Sequence, residues 1–198
     1  MNLFLWGALP YIAFTFLIVG TLVRFFYFER NWTTKSSEFL EKKQLRIANP
    51  LFHFGLLCVI GGHVVGVLIP KTWTAAIGIN DHMYHEGALY MGAVAGIIFI
   101  VGFLLLMKRR FTVPAMKVNT SGLDKWLYLF LTLAIFSGMA GTLLNASGFF
   151  DYRVSIGPWF RSLLSFMPDP SLMEGVPFMF KFHMLAWMVV AIIFPFSR

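Results

Sequence analysis

Charged residues are what this sequence has least of: 13% of its 198 residues, about half the share found in a soluble domain. The few charges sit in short clusters between apolar runs, each about as long as a bilayer-spanning helix of ~20 residues. With 58% hydrophobic residues and a mean hydropathy of +0.73, no stretch is left over to enclose a water-soluble core. Cysteine is nearly absent as well. Cys58 alone excludes a disulfide framework and any CxxC-type metal or redox site, and its place in an apolar run predicts a buried, inert thiol. The start lacks a basic n-region, and its apolar run over 3–28 far exceeds the ~7–15 residues of a cleavable signal's core. That run is therefore read as a retained first span. Period-2 alternation, internal repeats and low-complexity tracts are also lacking, so the apolar runs read as helices and not as barrel strands.

What is present predicts an all-α fold: one domain over 1–198, an integral membrane bundle of five transmembrane helices at about 3–28, 51–70, 88–107, 126–144 and 177–197. Pro50 and Pro70 are expected to bracket the second span and Pro177 to open the fifth, at positions where helices tolerate or end at proline. A formal charge of +7 and a pI near 9.8 would suggest nucleic acid on a soluble chain. Here the basic residues flank apolar spans, so they report topology and exclude a nucleic-acid partner. Arg30, Lys35, Lys42, Lys43 and Arg46 lie between spans one and two, and Lys108, Arg109, Arg110, Lys117 and Lys125 between three and four. The other two connections hold only Lys71, then Arg153 and Arg161. The positive-inside rule thus places the N-terminus outside and the C-terminus in the cytoplasm of a multi-pass cell-membrane protein. The segment 145–176, with stretches such as Ile156-Gly157-Pro158-Trp159-Phe160, is expected to lie along the outer surface and cap the bundle.

Ionisable residues inside spans are functional candidates by default, and three of the five histidines qualify: His53, His63 and His183. His63 follows His53 by ten residues, or ~15 Å of helix. It lies ~10 Å inward of Pro70, and His183 lies ~9 Å inward of Pro177 on an antiparallel helix, so the two meet at one depth. Facing neutral imidazoles suit the two axial positions of a haem iron. With both positions filled none is left for oxygen, which predicts electron transfer and not oxygen activation. Gly62 beside His63, with Gly55 and Gly66 on the same helix, would bare helix surface for a porphyrin. The Gly92-x-x-x-Gly96 pair reads as ordinary helix packing. His53 would serve a second haem toward the cytoplasm, although no histidine follows His183 to face it. His82, Tyr84 and His85, expected in the outer loop before span three, are candidates for hydrogen bonding to quinol.

The segment Asn49-Pro-Leu-Phe-His53-Phe-Gly-Leu-Leu-Cys-Val-Ile-Gly-Gly-His63 resembles the second transmembrane helix of the gamma subunit of respiratory nitrate reductases. Lys108-Arg109-Arg110, Phe180-Lys-Phe-His183 and the ending Phe194-Pro-Phe-Ser-Arg198 extend the resemblance over nearly the whole chain. It implies a di-haem cytochrome b that anchors its enzyme and oxidises quinol. His63 and His183 would be ligands of the outer haem b and His53 a ligand of the inner one. In that family the second inner ligand follows the Pro-Phe-Ser-Arg segment by a few residues. This chain is accordingly expected to be trimmed: two haems in the complete protein, one of them fully ligated by the residues present. Some relatives carry a lysine at the quinol site where this chain has Met83-Tyr84-His85-Glu86, so quinol-binding residues do not carry over one for one. The implied partners are an iron–sulfur beta subunit and a molybdenum-containing alpha subunit on the cytoplasmic side, together with quinol and membrane lipid. Rival readings are a cytochrome b anchor of a heterodisulfide- or sulfite-type reductase, and a haem-free membrane anchor or transporter with histidine proton relay.

Overall fold

The computed structural model describes residues 2–27 and 41–197; Arg30 and Lys35, two of the basic residues that report topology, lie outside the described residues. Five helices are long and apolar enough to cross a membrane: Phe4–Tyr27, Lys43–Leu68, Asp81–Thr112, Gly122–Leu144 and Phe178–Phe196. No strand occurs among the described residues. The chain is an all-helical, multi-pass membrane protein with the expected number of spans.

The span boundaries differ from the expected ones wherever local chemistry outruns hydropathy. Pro50 does not open the second span but sits inside it, because the polar stretch from Lys43 is already helical. The third span starts at Asp81, where the Asn80 side chain accepts the Met83 N–H at 2.9 Å as an N-cap. His82, Tyr84 and His85 are therefore on the first turns of a helix and not in a loop. That helix has 32 residues, ~48 Å of rise against a hydrocarbon core of ~30 Å, so its ends project beyond the apolar layer. The fourth span opens on a capping box: Asp124 N–H donates to Ser121 Oγ at 3.1 Å and Ser121 N–H to Asp124 Oδ2 at 2.8 Å. Pro177 precedes the fifth span directly, as expected.

The bundle is built as two helix pairs, second with third and fourth with fifth, and the first span lies on the fifth. The second and third spans touch backbone to backbone. A Cβ on Gly55 would fall 2.5 Å from Phe99 N, and one on Gly102 would fall 2.3 Å from Phe52 N. Each helix thus offers a glycine to the other's phenylalanine, and the Phe52 and Phe99 rings sit 5.0 Å apart. Gly55, expected beside a haem, is a packing glycine. Gly96 packs under Met139, while Gly92 faces open space and packs on nothing. Cys58 is also not where it was expected: it is exposed on the helix surface. In a membrane an apolar residue gains burial from lipid as readily as from protein.

One end of the bundle is capped and the other is basic. At the capped end the helix Ile156–Leu164 lies across the spans. Its Trp159, 1% exposed, donates Nε1–H to the Trp6 carbonyl at 2.8 Å and joins Ala13, Met173 and Met188 in one apolar cluster. At the basic end Arg109, buried, pairs with Glu41 at 2.9 Å, and Arg110 stands 3.7 Å from the fully buried Asp124. Arg24 donates to the Pro195 carbonyl at 2.5 Å and to the Ser197 carbonyl, tying span one to the end of span five.

Gly102→Ala should lower the thermal midpoint in detergent, followed by circular dichroism, by several degrees, as overpacking by one methyl does. Gly92→Ala should leave it unchanged. Equal midpoints for the two variants would remove the backbone contact as the basis of this pair.

Candidate functional site

His63 comes from the second span and His183 from the fifth, and the bundle brings their rings close together. The ring centres are 5.9 Å apart and the planes 26° from parallel. Each ring is oriented by a backbone carbonyl. His63 Nδ1–H donates to Val59 O at 2.7 Å within its own helix. His183 Nδ1–H donates to Ala134 O at 2.8 Å across to the fourth span, with Ser137 Oγ 3.4 Å away. A carbonyl can only accept, so the proton is on Nδ1 and the Nε2 lone pair is free. On His183 that Nε2 is buried and has no hydrogen-bond partner among the described residues. An orphaned buried acceptor costs about 1–3 kcal/mol, and such an atom in a native bundle calls for a reason.

A metal or cofactor held by the two imidazoles would supply one. With their ring centres 5.9 Å apart, the two imidazoles are close enough to hold one such group together. Among the described residues no group of three or more His, Cys, Asp or Glu gathers around a point. Two imidazoles alone suit an ion whose other ligands arrive with it. The backbone beside His63 is open: a Cβ on Gly61 or Gly62 would meet nothing within 4 Å. Directly after His63 the helix widens into a π-turn, Val64–Leu68, a distortion common at functional sites.

His53 lies on the same helix, ~15 Å away by helical rise, and repeats the orientation. Its Nδ1–H donates to Asn49 O at 2.9 Å, again freeing Nε2. His85 is held differently. Its Nε2 contacts Ala146 O at 3.1 Å, so Nε2 carries the proton, and the ring rests on Gly148, whose φ of +70° only glycine takes without strain. His82 is exposed on the first turn of the third span. Tyr84 turns inward: its hydroxyl is 3.5 Å from that of Tyr152, and both side chains lie against Gly66, with Tyr84 Oη 3.1 Å from where a Cβ would stand. Gly66, then, carries tyrosines and not a porphyrin. Burial, then the neighbouring Tyr84, pushes the Tyr152 phenol far up, so it is protonated at any ordinary pH.

Sequence reasoning missed the part that the fourth span plays in the site. Ala134 orients His183, and Gly138 lies under its ring, where a Cβ would come within 2.8 Å of Cε1. The small residues Ala134, Ser137, Gly138 and Gly141, on one helix face at i, i+3, i+4 and i+7 of an apolar run, were the available signal. Arg153 and Thr74, which brace Tyr84, were missed as well.

Five apolar helices with two imidazoles brought together between them define a multi-pass membrane protein. The profile of the family described as nitrate reductase gamma subunit matches residues 2–198. Over 195 residues the chain is 47% identical to the nitrate reductase gamma chain of Bacillus subtilis (strain 168), covering 98% of this chain and 87% of that protein. It is 28% identical over 200 residues to the respiratory nitrate reductase 1 gamma chain of Escherichia coli (strain K12), covering 100% of this chain and 88% of that one. It is also 38% identical to the nitrate reductase-like protein NarX of Mycobacterium tuberculosis (strain ATCC 25618 / H37Rv), covering 98% of this chain but 30% of that protein. The chain belongs to the nitrate reductase gamma subunit family, and so to the membrane components of that class of oxidoreductase.

At the capped end Lys71 bridges two elements, 2.8 Å from Asp81 and 3.1 Å from Asp151. Its hydrogen bonds, to Asp81 first and then Asp151, hold its ammonium above the usual lysine range. A raised lysine contributes its stabilisation at every pH below the ordinary value and loses it only as pH climbs through the raised one. Cleavage of the 145–176 segment by added protease should therefore be slow and constant from about pH 6 to 9. In Lys71→Gln it should be faster throughout that range. Equal rates for variant and parent would show that the bridge does not hold the cap.

Proposed function

We propose that this chain is the cytochrome b subunit of a respiratory nitrate reductase, oxidising quinol near the capped end and delivering electrons at the basic end. There they would pass to an iron–sulfur beta subunit and a molybdenum-containing alpha subunit. The observation that carries the reading is the His63–His183 pair: two rings 5.9 Å apart, both with Nδ1 spent on a carbonyl and Nε2 free, one of these nitrogens buried and unpartnered among the described residues. His63 and His183 would hold a haem b, which when bound would supply one-electron transfer.

This chain's residues set the remaining terms. The Val59 and Ala134 carbonyls fix the tautomers and strengthen both imidazoles as donors, as oxygen acceptors behind metal-bound histidines do. Gly62 keeps the helix face beside His63 bare, and Gly138 leaves room for the His183 ring. His53, with the same tautomer, is one ligand of a second haem toward the basic end. Of the quinol candidates, Tyr84 is turned into the bundle against Gly66, one turn from His63, and His85 has its proton committed to Ala146. His82 stands outermost. A proton relay in a haem-free transporter would want the facing imidazoles hydrogen-bonded to each other, and the free Nε2 of His183 argues against that rival.

Orientation follows from charge. The basic end, with Lys42, Lys43, Arg46, Arg110 and Lys117, is the cytoplasmic one by the positive-inside rule, and the capped end faces outward. In a Cys58→Ser background, Met167→Cys should be labelled by a membrane-impermeant maleimide in intact cells and Val118→Cys should not; both positions are exposed, at 74% and 87%. The reverse pattern would invert the assignment.

His63→Ala and His183→Ala should each abolish the same bis-imidazole haem, read as loss of its share of the reduced-minus-oxidised visible spectrum. The double variant should lose no more than either single. A clearly larger loss in the double would mean that the two histidines serve different haems, and a parent protein without haem bands would overturn the reading.

A further inference from the structure

Arg153 is an unusual residue to find at 4% exposure. Burying a guanidinium is costly unless it is paired, yet among the described residues its side chain has no carboxylate partner. It donates to Thr74 Oγ1 at 2.6 Å, and its Nε has no partner at all. Its main contact is an aromatic face: the guanidinium carbon lies 3.7 Å from the centre of the Tyr84 ring. A desolvated cation on an aromatic ring is worth more than an exposed one, and it holds that ring flat against the cation. The cation thereby fixes where the Tyr84 hydroxyl points.

The hydroxyl points at Gly66 and Tyr152. A side chain at position 66 would put its first carbon 3.1 Å from Tyr84 Oη and 3.0 Å from Tyr152 Cε2, so both phenols approach bare backbone. Gly66 is three residues from His63, one turn or ~5 Å along the helix. The two hydroxyls are 3.5 Å apart, at the outer limit of a hydrogen bond. Catalytic hydrogen bonds are often this long before substrate enters and tighten once it does. An oxygen atom arriving between the two hydroxyls would be held by both.

We propose that Arg153 is a positioning residue for quinol. It clamps Tyr84 so that the Tyr84 and Tyr152 hydroxyls together form the hydrogen-bonding edge that receives one oxygen of a hydroquinone head group beside His63. This rests on the reading that the chain oxidises quinol at its capped end. It adds Tyr152 and the cation that sets the edge, neither of which the sequence singled out. Arginine suits the role because its planar group stacks on a ring in a way that a lysine ammonium does not.

The test uses the complete reductase complex with a water-soluble short-chain quinol, measuring haem content, KM and kcat. Arg153→Gln should raise KM at least about fivefold, the size expected for one desolvated cation–π contact, with haem content intact. Tyr84→Phe should raise KM by a similar factor, and the double variant should be little worse than either single, because both remove the same edge. Arg153→Lys should fall between parent and Arg153→Gln. Nitrate reduction driven by reduced viologen, which bypasses quinol, should not change in any of them. Should Arg153→Gln fail to assemble, Tyr84→Phe and Arg153→Lys still decide the matter. Parent-like KM in those two, with haem intact, overturns the clamp. A parent complex whose haem quinol cannot reduce would instead overturn the functional reading beneath it, so the two failures are distinguishable.

Discussion

The hydrogen bond from His183 Nδ1 to the Ala134 carbonyl, 2.8 Å long, is the contact on which the site depends. It fixes a tautomer, it fixes a ring plane, and it ties the fifth span to the fourth in a setting where water cannot compete for the donor. Without it the ring could turn either nitrogen toward His63, and a free lone pair at the meeting point would be a matter of chance. The same device serves His63 through Val59 and His53 through Asn49. Three histidines in one chain that all spend Nδ1 on a carbonyl are three histidines kept ready to give Nε2 to something else. His85, which spends Nε2 instead, is thereby set apart from them, although sequence treats all of them as the same residue type.

The bilayer explains why the rest of the molecule can be so plain. Lipid supplies the apolar surroundings that a soluble protein must build from its own core, so the spans bury few side chains and expose many large ones without penalty. What the protein must supply is close approach and charge control. Close approach is the work of Gly55 and Gly102, whose positions admit the neighbouring backbone, and of Gly138 beneath His183. Charge control is confined to the two ends. Arg109 with Glu41, Arg110 with Asp124, and Arg24 on the carbonyls that end the fifth span close the basic end. Lys71 with Asp81 and Asp151 closes the capped one.

The number and rough extent of the spans were legible because hydropathy over about twenty residues is a strong, additive signal. The meeting of His63 with His183 was legible because helical rise converts residue counts into depth. Boundaries were less so. Hydropathy stops where polar residues begin, but Lys43–Asn49 and Asp81–His85 remain helical for reasons of capping and propensity that an apolar count ignores. That is why Tyr84, expected in a loop, is on a helix and turned inward. Glycine roles were only partly legible. Gly55, Gly62 and Gly66 share a helix, yet one meets Phe99, one meets nothing and one meets two tyrosines. Which neighbour a helix face meets is tertiary information that spacing along one helix does not contain. Fourth-span residues were invisible for a related reason: Ala134 acts through its carbonyl, and every residue has one.

The two facing histidines come from different helix pairs, His63 from second-with-third and His183 from fourth-with-fifth. Neither pair holds a complete site, because each contributes only one imidazole to the junction. A group that bridges both nitrogens therefore binds the docked bundle and not its separated halves. By mass action it stabilises the docked state in proportion to its occupancy and affinity. The orphaned His183 Nε2 makes the same point from the other side. Docking the pairs buries that acceptor at a cost of about 1–3 kcal/mol, which the proposed haem would remove. On the proposed reading, assembly of the bundle and binding of the haem would be coupled. The capped end closes the bundle on its own side, where Trp159 donates to the Trp6 carbonyl and Arg153 to Thr74 Oγ1.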